Sequence, residues 1–501
     1  MNLFTGLFYS HVSDKQLSSN PIIQETSVNI YRTIKSEVGS YDGIAVIEDK
    51  RAISYKELFA DVEKTAAVLI SSGIAPDSRV AINGENSYEY VVVCLALLSI
   101  DAVIVPISIH ATAAESDNII ERIAVNFLIS DKPGVKGFPL FEGNVHPYRI
   151  IPTNCEINPV ALPDGRRPAF IRFSSGTTGS SKGVVLSHQA ILERTAACTG
   201  LGITRGEHIL WVLDMAFHFI VTILLFIRKS ATIVICGRPV ETKMISILRQ
   251  FPIRLVYATP YHYRLMLSSS ELKKEDMSGI RLLVSTAMKL TAADANDFRN
   301  KFNVNLAQAY GIIEIGLPCL NPVATEKIDS AGQVQPGYSV RINNPDPDGI
   351  GEILIRGPGM FDAYFSPFLP RNQACPDGWF NTGDLGYVDN DRYLFIVGRS
   401  KNVINFIGMK IFPDEVEAAL CSHPLIAEAR VYGRKDPLFS EIPVAEIVLK
   451  NPEQPVADLA RQLRRYCFSR LSEYKVPKEL TVVTAIPKTL SGKIARCGKG
   501  Q

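Results

Sequence analysis

The chain has 501 residues, 46% hydrophobic and 21% charged, with a formal net charge of +2. That length exceeds what one hydrophobic core supports and predicts two or more domains, while the balanced charge excludes a basic field for nucleic acid. Nine cysteines without a C-x-x-C pair predict reduced thiols in a cytoplasmic protein, not a disulfide or zinc framework. Residues 1–10 carry no basic n-region and no long apolar run, so no signal peptide is expected. The apolar runs 91–100 and 219–227 are too short for a membrane span and read as buried helices.

In chain order, Ser54-Tyr55-Lys56-Glu57 has the form of a capping box. Leu58, Val62, Leu69 and Ile70 make the apolar face of the helix it opens, and Gly73 ends it. Residues 79–82 read as a strand, 87–98 as a helix and 103–106 as a strand. This βα rhythm predicts parallel sheets with helices on both faces. It resumes with strands at 209–213, 232–235, 254–257 and 281–284. From 331 to 399 glycines punctuate short strands such as 352–355. Asp389-Asn390-Asp391 turns the chain between 386–388 and 393–396, which predicts a mainly antiparallel β region. Beyond Lys401 the pattern is α+β: a helix at 413–420, strands at 429–432 and 444–449, and a helix at 456–471. The expected fold class is α/β. A large N-terminal domain (1–399) would hold two parallel-rich α/β subdomains and a small β region. A small mobile α+β domain (400–501) would follow, with a hinge at Lys401.

The stretch Phe173-Ser174-Ser175-Gly176-Thr177-Thr178-Gly179-Ser180-Ser181-Lys182-Gly183 lies between an apolar strand, 169–171, and a helix beginning near Ser187. Glycines let successive backbone N–H groups turn inward, hydroxyls add donors, and Lys182 adds a point charge; such a nest binds phosphate oxygens. It misses the P-loop pattern, because Ser181 precedes the lysine and Gly183 follows it, so an ordinary P-loop NTPase is not expected. Read alone, a polar surface loop is the alternative.

Four further stretches follow in order: Tyr310-Gly311-Ile312-Ile313-Glu314, Asn381-Thr382-Gly383-Asp384, Gly398-Arg399-Ser400-Lys401 and Pro487-Lys488-Thr489-Leu490-Ser491-Gly492-Lys493-Ile494. With the glycine-rich loop, in this order, they resemble the acyl-adenylate-forming superfamily of acyl- and aryl-CoA ligases and stand-alone adenylation enzymes. The resemblance runs from about Ser54 to Arg496. It implies that a carboxylate attacks the α-phosphate of ATP, and that the acyl-AMP then passes to a thiol. Ser174, Thr177, Thr178, Gly179 and Lys182 would hold the phosphates. Glu314, with Thr177, would hold Mg²⁺, a hard cation that favours oxygen ligands. Tyr310 and Gly311 would receive adenine, and Asp384 the ribose hydroxyls, with Arg399 at the ribose or phosphate side. Lys493 would touch the carboxylate and the bridging oxygen as negative charge develops. The last domain would rotate about Lys401, and Gly408, after Phe406-Ile407, would line the thiol tunnel.

Three departures bear on this resemblance. Ile313 stands where a threonine is usual, so a hydroxyl is expected to be missing beside the phosphate or Mg²⁺. Thr286, Ala287 and Met288 stand where small glycines are common, and are expected to narrow the acyl pocket. Phe217-His218 occupies the place where amino-acid-activating relatives carry Phe-Asp, so His218 would line the carboxylate end of a pocket for an acid without an α-amino group. The expected activity is an ATP-dependent acyl-CoA synthetase. The same first half-reaction with a carrier-protein phosphopantetheine as acceptor is the alternative, and a non-catalytic acyl- or nucleotide-binding relative is a third reading.

Overall fold

The computed structural model describes residues 28–134, 136–141, 147–174, 182–322, 327–406, 409–436, 439–451, 458–489 and 494–495. Helix starts are set locally. Ser54 and Glu57 form the expected capping box of the helix Tyr55–Ser71. Ser87 accepts from the Tyr90 N–H at the head of the helix Tyr88–Ser99. Leu58, Val62 and Leu69 of the first helix are buried as the periodicity requires, but Ile70 is exposed, one residue past the apolar stripe.

Two large sheets build the N-terminal body. In the first, Arg79–Asn83, Val103–Pro106 and Phe127–Ser130 are parallel, and Pro168–Ser174 joins parallel to Val103–Pro106. Pro168–Ser174 then turns back antiparallel into Lys182–Ser187. In the second, Ile44–Glu48, Thr232–Ile235, His208–Trp211, Ile253–Ala258, Leu282–Ser285 and Leu306–Ile312 are parallel neighbours in that order. Most of these strands are apolar along their length, as expected of parallel strands covered on both faces.

The structure differs from expectation in how the β region is attached. Leu306–Ile312 pairs antiparallel with Gly316–Asn321, and pairing continues through Gly332–Val334, Tyr393–Arg399, Phe380–Val388 and Gly351–Arg356. The antiparallel strands therefore extend the second parallel sheet, giving thirteen strands in one hydrogen-bonded array among the described residues. One segment of the same region, Ala363–Phe365, crosses to the first sheet and pairs with Lys182–Ser187. The β region thus stitches the two sheets together beside the glycine-rich hairpin.

After the 3-10 turn Ser400–Asn402 a third sheet forms from Ile404–Phe406, Met409–Ile411, Ile426–Asp436, Ser440–Leu449 and Glu479–Val482. It has its own apolar cluster, in which Val416 and Leu420 of the helix Pro413–Cys421 pack on Val431 and Ile447. No helix among the described residues is long and apolar enough to cross a membrane.

Candidate active site

Strand alternation decides what the glycine-rich hairpin presents. On Pro168–Ser174, Ile171 and Phe173 face the small cluster of the first sheet, and Phe170 faces the central core between the sheets. Arg172 shares the Phe170 side, by the two-residue period of a strand. Ser174 and Lys182 are register partners at the mouth of the hairpin. Thr177, Thr178 and Gly179 lie outside the described residues. The Lys182 ammonium sits 4.8 Å from the centroid of the Tyr364 ring, on the strand that crosses over to pair with this hairpin.

Glu314 occupies the turn joining Leu306–Ile312 to Gly316–Asn321, and the turn is pinned from two sides. Arg194 of the helix His188–Ala197 donates from Nη1 to the Ile313 carbonyl at 3.0 Å, and the Phe361 N–H donates to the Glu314 carbonyl at 2.7 Å. Arg194 also donates from Nε to the Gly359 carbonyl at 3.0 Å. A Cβ at Gly359 would meet the Ala190 carbonyl oxygen at 2.4 Å, and its φ is +67°. Only glycine fits that approach. The Glu314 side chain is 8% exposed, and its Oε1 lies 3.5 Å from the Tyr364 hydroxyl. Burial raises its pKa above the ordinary glutamate value, opposed by Arg172, Arg194 and Arg399.

Ile313, next to it, belongs to the central apolar cluster and is 9% exposed. Its burial there gives the side chain a packing role in the unliganded protein.

Tyr310, Asp384 and Arg399 form a second constellation. Asp384 and Arg399 are cross-strand partners. Arg399 Nε lies 2.6 Å from Asp384 Oδ1, and the Tyr310 hydroxyl donates to Oδ2. Arg399 Nη1 donates to the Thr382 carbonyl at 3.1 Å, and Thr382 Oγ1 accepts from the Asp384 N–H at 3.0 Å. Burial, then the Asp384 charge, pushes the Tyr310 phenol well above its ordinary range, so it stays a donor. Gly311 is exposed beside it.

His218 ends the short helix Met215–His218, half-buried, its ring 5.9 Å from that of Trp211. Asp214, four residues earlier, is committed elsewhere: Oδ1 caps the Ala216 N–H at 2.9 Å and Oδ2 accepts from Ser108 Oγ at 2.7 Å. Arg172 reaches the same spot. Its Nη1 donates to the Phe217 carbonyl at 2.8 Å, and its guanidinium lies 5.0 Å from the Phe217 ring centroid. Burial lowers its pKa to about 10, against Glu314 and Asp214.

At the expected acyl pocket Ala287 adopts φ +69°, a left-handed conformation that glycine takes without penalty. Thr286 is turned into the protein, its Oγ1 donating to the Ala309 carbonyl at 3.3 Å. Met288 is half-buried.

Lys493 and Gly408 also lie outside the described residues. Their flanks are held on the third sheet. Lys488 pairs with Ile494, the Ala495 N–H donates to the Pro487 carbonyl at 2.8 Å, and Lys488 Nζ lies 2.6 Å from Glu428 Oε1. Phe406, before Gly408, stacks on Phe439 at 5.2 Å. Lys401 is exposed on the turn between the second and third sheets, its pKa lowered by partial burial and by Arg399.

The structure therefore brings Lys182, Glu314 and Tyr364 into one neighbourhood, and Tyr310, Asp384 and Arg399 into another. Sequence reasoning missed Arg172, Arg194 and Tyr364. A charged residue inside the apolar run Ala169-Phe170-Ile171-Arg172-Phe173 was a usable signal for the first; nothing local marked the other two.

Glu314 fits the role of a hard-cation ligand. It is a buried carboxylate with no ion pair among the described residues, and no group of three or more His, Cys, Asp or Glu there could hold a metal alone. A Mg²⁺ ion held by one carboxylate, with phosphate and water completing the shell, matches that donor set.

Comparison with known proteins gives the family. Residues 36–365 match the family described as AMP-binding enzyme, and residues 415–493 match the AMP-binding enzyme C-terminal domain. The chain is 28% identical over 472 residues to a 2-succinylbenzoate–CoA ligase of Bacillus licheniformis, covering 91% of this chain and 96% of the relative. It is 27% identical over 495 residues to a fatty acid–[acyl-carrier-protein] ligase of Streptomyces coeruleorubidus, covering 90% and 92%. Its fold matches the solved o-succinylbenzoate CoA synthetase of Bacillus subtilis in complex with an acyl-adenylate, with a TM-score of 0.79 at 24% identity, covering 94% of this chain and 99% of that one. The chain belongs to the AMP-binding enzyme family, the adenylate-forming ligases.

Proposed function

We propose that this ligase activates a carboxylic acid without an α-amino group as its acyl-AMP and transfers the acyl group to the thiol of CoA. The observation that carries the acid class is the pairing around Phe217. Both oxygens of Asp214 already accept hydrogen bonds, and the Arg172 guanidinium lies against Phe217. An α-ammonium there would meet the like charge of Arg172, beside an Asp214 carboxylate already engaged by Ala216 and Ser108, which disfavours an amino acid in this place.

In this reading Asp384 accepts the ribose hydroxyls, with Arg399 and Tyr310 holding its carboxylate in place. Tyr310 offers its ring to adenine. Lys182, Thr177, Thr178, Gly179 and Ser174 surround the phosphates, and Glu314 holds the divalent cation. Mg²⁺, when bound, neutralises charge on the leaving pyrophosphate. Lys493 stabilises the charge developing between carboxylate and phosphorus. His218 lines the carboxylate end of the acyl pocket. The domain beyond residue 399 turns about Lys401 and brings the Gly408 segment to the thiol.

A carrier-protein phosphopantetheine is the second reading, favoured by the relative that acts as a fatty acid–[acyl-carrier-protein] ligase. The test is a thiol competition: the full chain, ATP, Mg²⁺ and an acid that supports exchange, with CoA and a holo carrier protein offered together. Acyl-CoA as the main product supports the proposal; acyl-carrier protein with no acyl-CoA replaces it with the second reading.

A further inference from the structure

Arg172 differs from the other deeply placed arginines of the N-terminal body. Arg194 spends its guanidinium on the carbonyls of Ile313 and Gly359. The half-buried Arg399 pairs with Asp384. Arg79 donates from both Nε and Nη1 to backbone carbonyls. Among the described residues Arg172 makes one hydrogen bond, to the Phe217 carbonyl, and no carboxylate pairs with it. Its Nε is buried and has no hydrogen-bond partner. One donor of the cation, Nε, is thus desolvated and unsatisfied, an arrangement that is costly until a ligand completes it. The residue as a whole keeps partial exposure.

The position identifies the ligand chemistry. Arg172 stands two residues before Ser174 at the root of the glycine-rich loop, beside Phe217-His218, within electrostatic reach of Glu314. A planar guanidinium with free donor edges matches the paired oxygens of a carboxylate or phosphate.

We infer that Arg172 is an oxyanion-binding residue of this site, its unused guanidinium edge taking an oxygen of a reactant, either the polyphosphate of ATP or the carboxylate of the acid. This rests on the reading of the site as an adenylation site. It adds a binding group that the resemblance did not supply. The buried cation waits for charge that arrives with the reactants.

The test uses the full chain and two variants, Arg172→Met and Arg172→Lys. Mg–ATP, inorganic pyrophosphate and AMP are titrated by calorimetry, and KM values for aryl, alkyl and dicarboxylic acids are measured by pyrophosphate exchange. A polyphosphate ligand predicts that Arg172→Met weakens Mg–ATP and pyrophosphate tenfold or more, with AMP within twofold. A carboxylate ligand predicts a tenfold or greater rise in KM for the acid, with Mg–ATP unchanged. In both cases Arg172→Lys, which keeps the charge but loses the fork, falls between parent and Arg172→Met. The thermal midpoint of unliganded Arg172→Met is expected at or above that of the parent, because an unsatisfied buried charge has been removed. A structural role predicts the reverse: a lower midpoint with unchanged binding, and that result overturns the inference. So do ATP, pyrophosphate and acid values all within twofold of the parent in the two variants. If the parent exchanges pyrophosphate with no acid, the adenylation reading fails by itself, and the pyrophosphate titration still decides for or against Arg172.

Discussion

The Asp384–Arg399 pair lends itself to a quantitative perturbation. The Asp384 side chain is 4% exposed and that of Arg399 32%, with Nε and Oδ1 2.6 Å apart. Two unit charges about 4 Å apart attract by about 4 kcal/mol at an effective dielectric of about 20. Desolvation of the carboxylate and the partial exposure of Arg399 offset much of this, leaving a net coupling of about 1–2 kcal/mol. Asp384→Asn, Arg399→Gln and the double variant make the cycle. Both tryptophans of the chain, Trp211 and Trp379, precede residue 400, so their fluorescence in urea reports the unfolding of the body that holds the pair. Function should follow the same residue. Asparagine offers a neutral acceptor in place of a charged one, so AMP binding is expected to weaken about tenfold, or about 1.4 kcal/mol. A coupling below about 0.3 kcal/mol, with AMP affinity unchanged, would refute the reasoning.

Ile313→Thr removes buried hydrocarbon and places a hydroxyl in the central cluster, so urea unfolding should show a loss of about 1–3 kcal/mol, and exchange should not accelerate; a stable, faster variant would support the vacant-donor reading. Glu314→Gln should stabilise the unliganded protein near neutral pH while abolishing stabilisation by Mg–ATP. The sign follows from its raised pKa: ionisation opposes folding, the penalty is absent below the unfolded pKa of about 4.3, and it grows as pH rises toward the folded value. The gain in Glu314→Gln should therefore shrink as pH falls toward that unfolded value, and lower stability of the variant at neutral pH would contradict the burial argument. Lys493→Ala should abolish acyl-AMP formation but leave thioester formation from synthetic acyl-AMP largely intact, as single-turnover measurements can decide; equal loss of both steps would remove Lys493 from the adenylation role.

What was legible in the sequence was local. The capping box at Ser54, the strand over Thr232–Ile235 and the turn at Asp389-Asn390-Asp391 are each set by a few neighbouring residues, and each appears where the pattern puts it. The family motifs were equally legible, because each is a short run with a chemical purpose. Long-range pairing was not. Nothing in Ala363-Tyr364-Phe365 says that this strand leaves the β region to pair with Lys182–Ser187, so Tyr364 could not be placed between Lys182 and Glu314. The continuity of the β region with the parallel sheet escaped for the same reason: it depends on which edge is left open after Leu306–Ile312. The burial of Ile313 in the central apolar cluster is likewise visible only in three dimensions.

The central claim is that this site joins a carboxylic acid to AMP, and acid-dependent ATP–pyrophosphate exchange measures that step alone. The full chain is supplied with Mg–ATP, labelled pyrophosphate and, one at a time, aryl acids, short- to medium-chain alkyl acids and α-amino acids. The account predicts no exchange without acid, exchange with one or more acids that lack an α-amino group, and little with any α-amino acid. Exchange driven best by an α-amino acid would contradict the reading of the pocket around Phe217, and a folded, ATP-binding protein that exchanges with no acid would contradict the proposed activity itself.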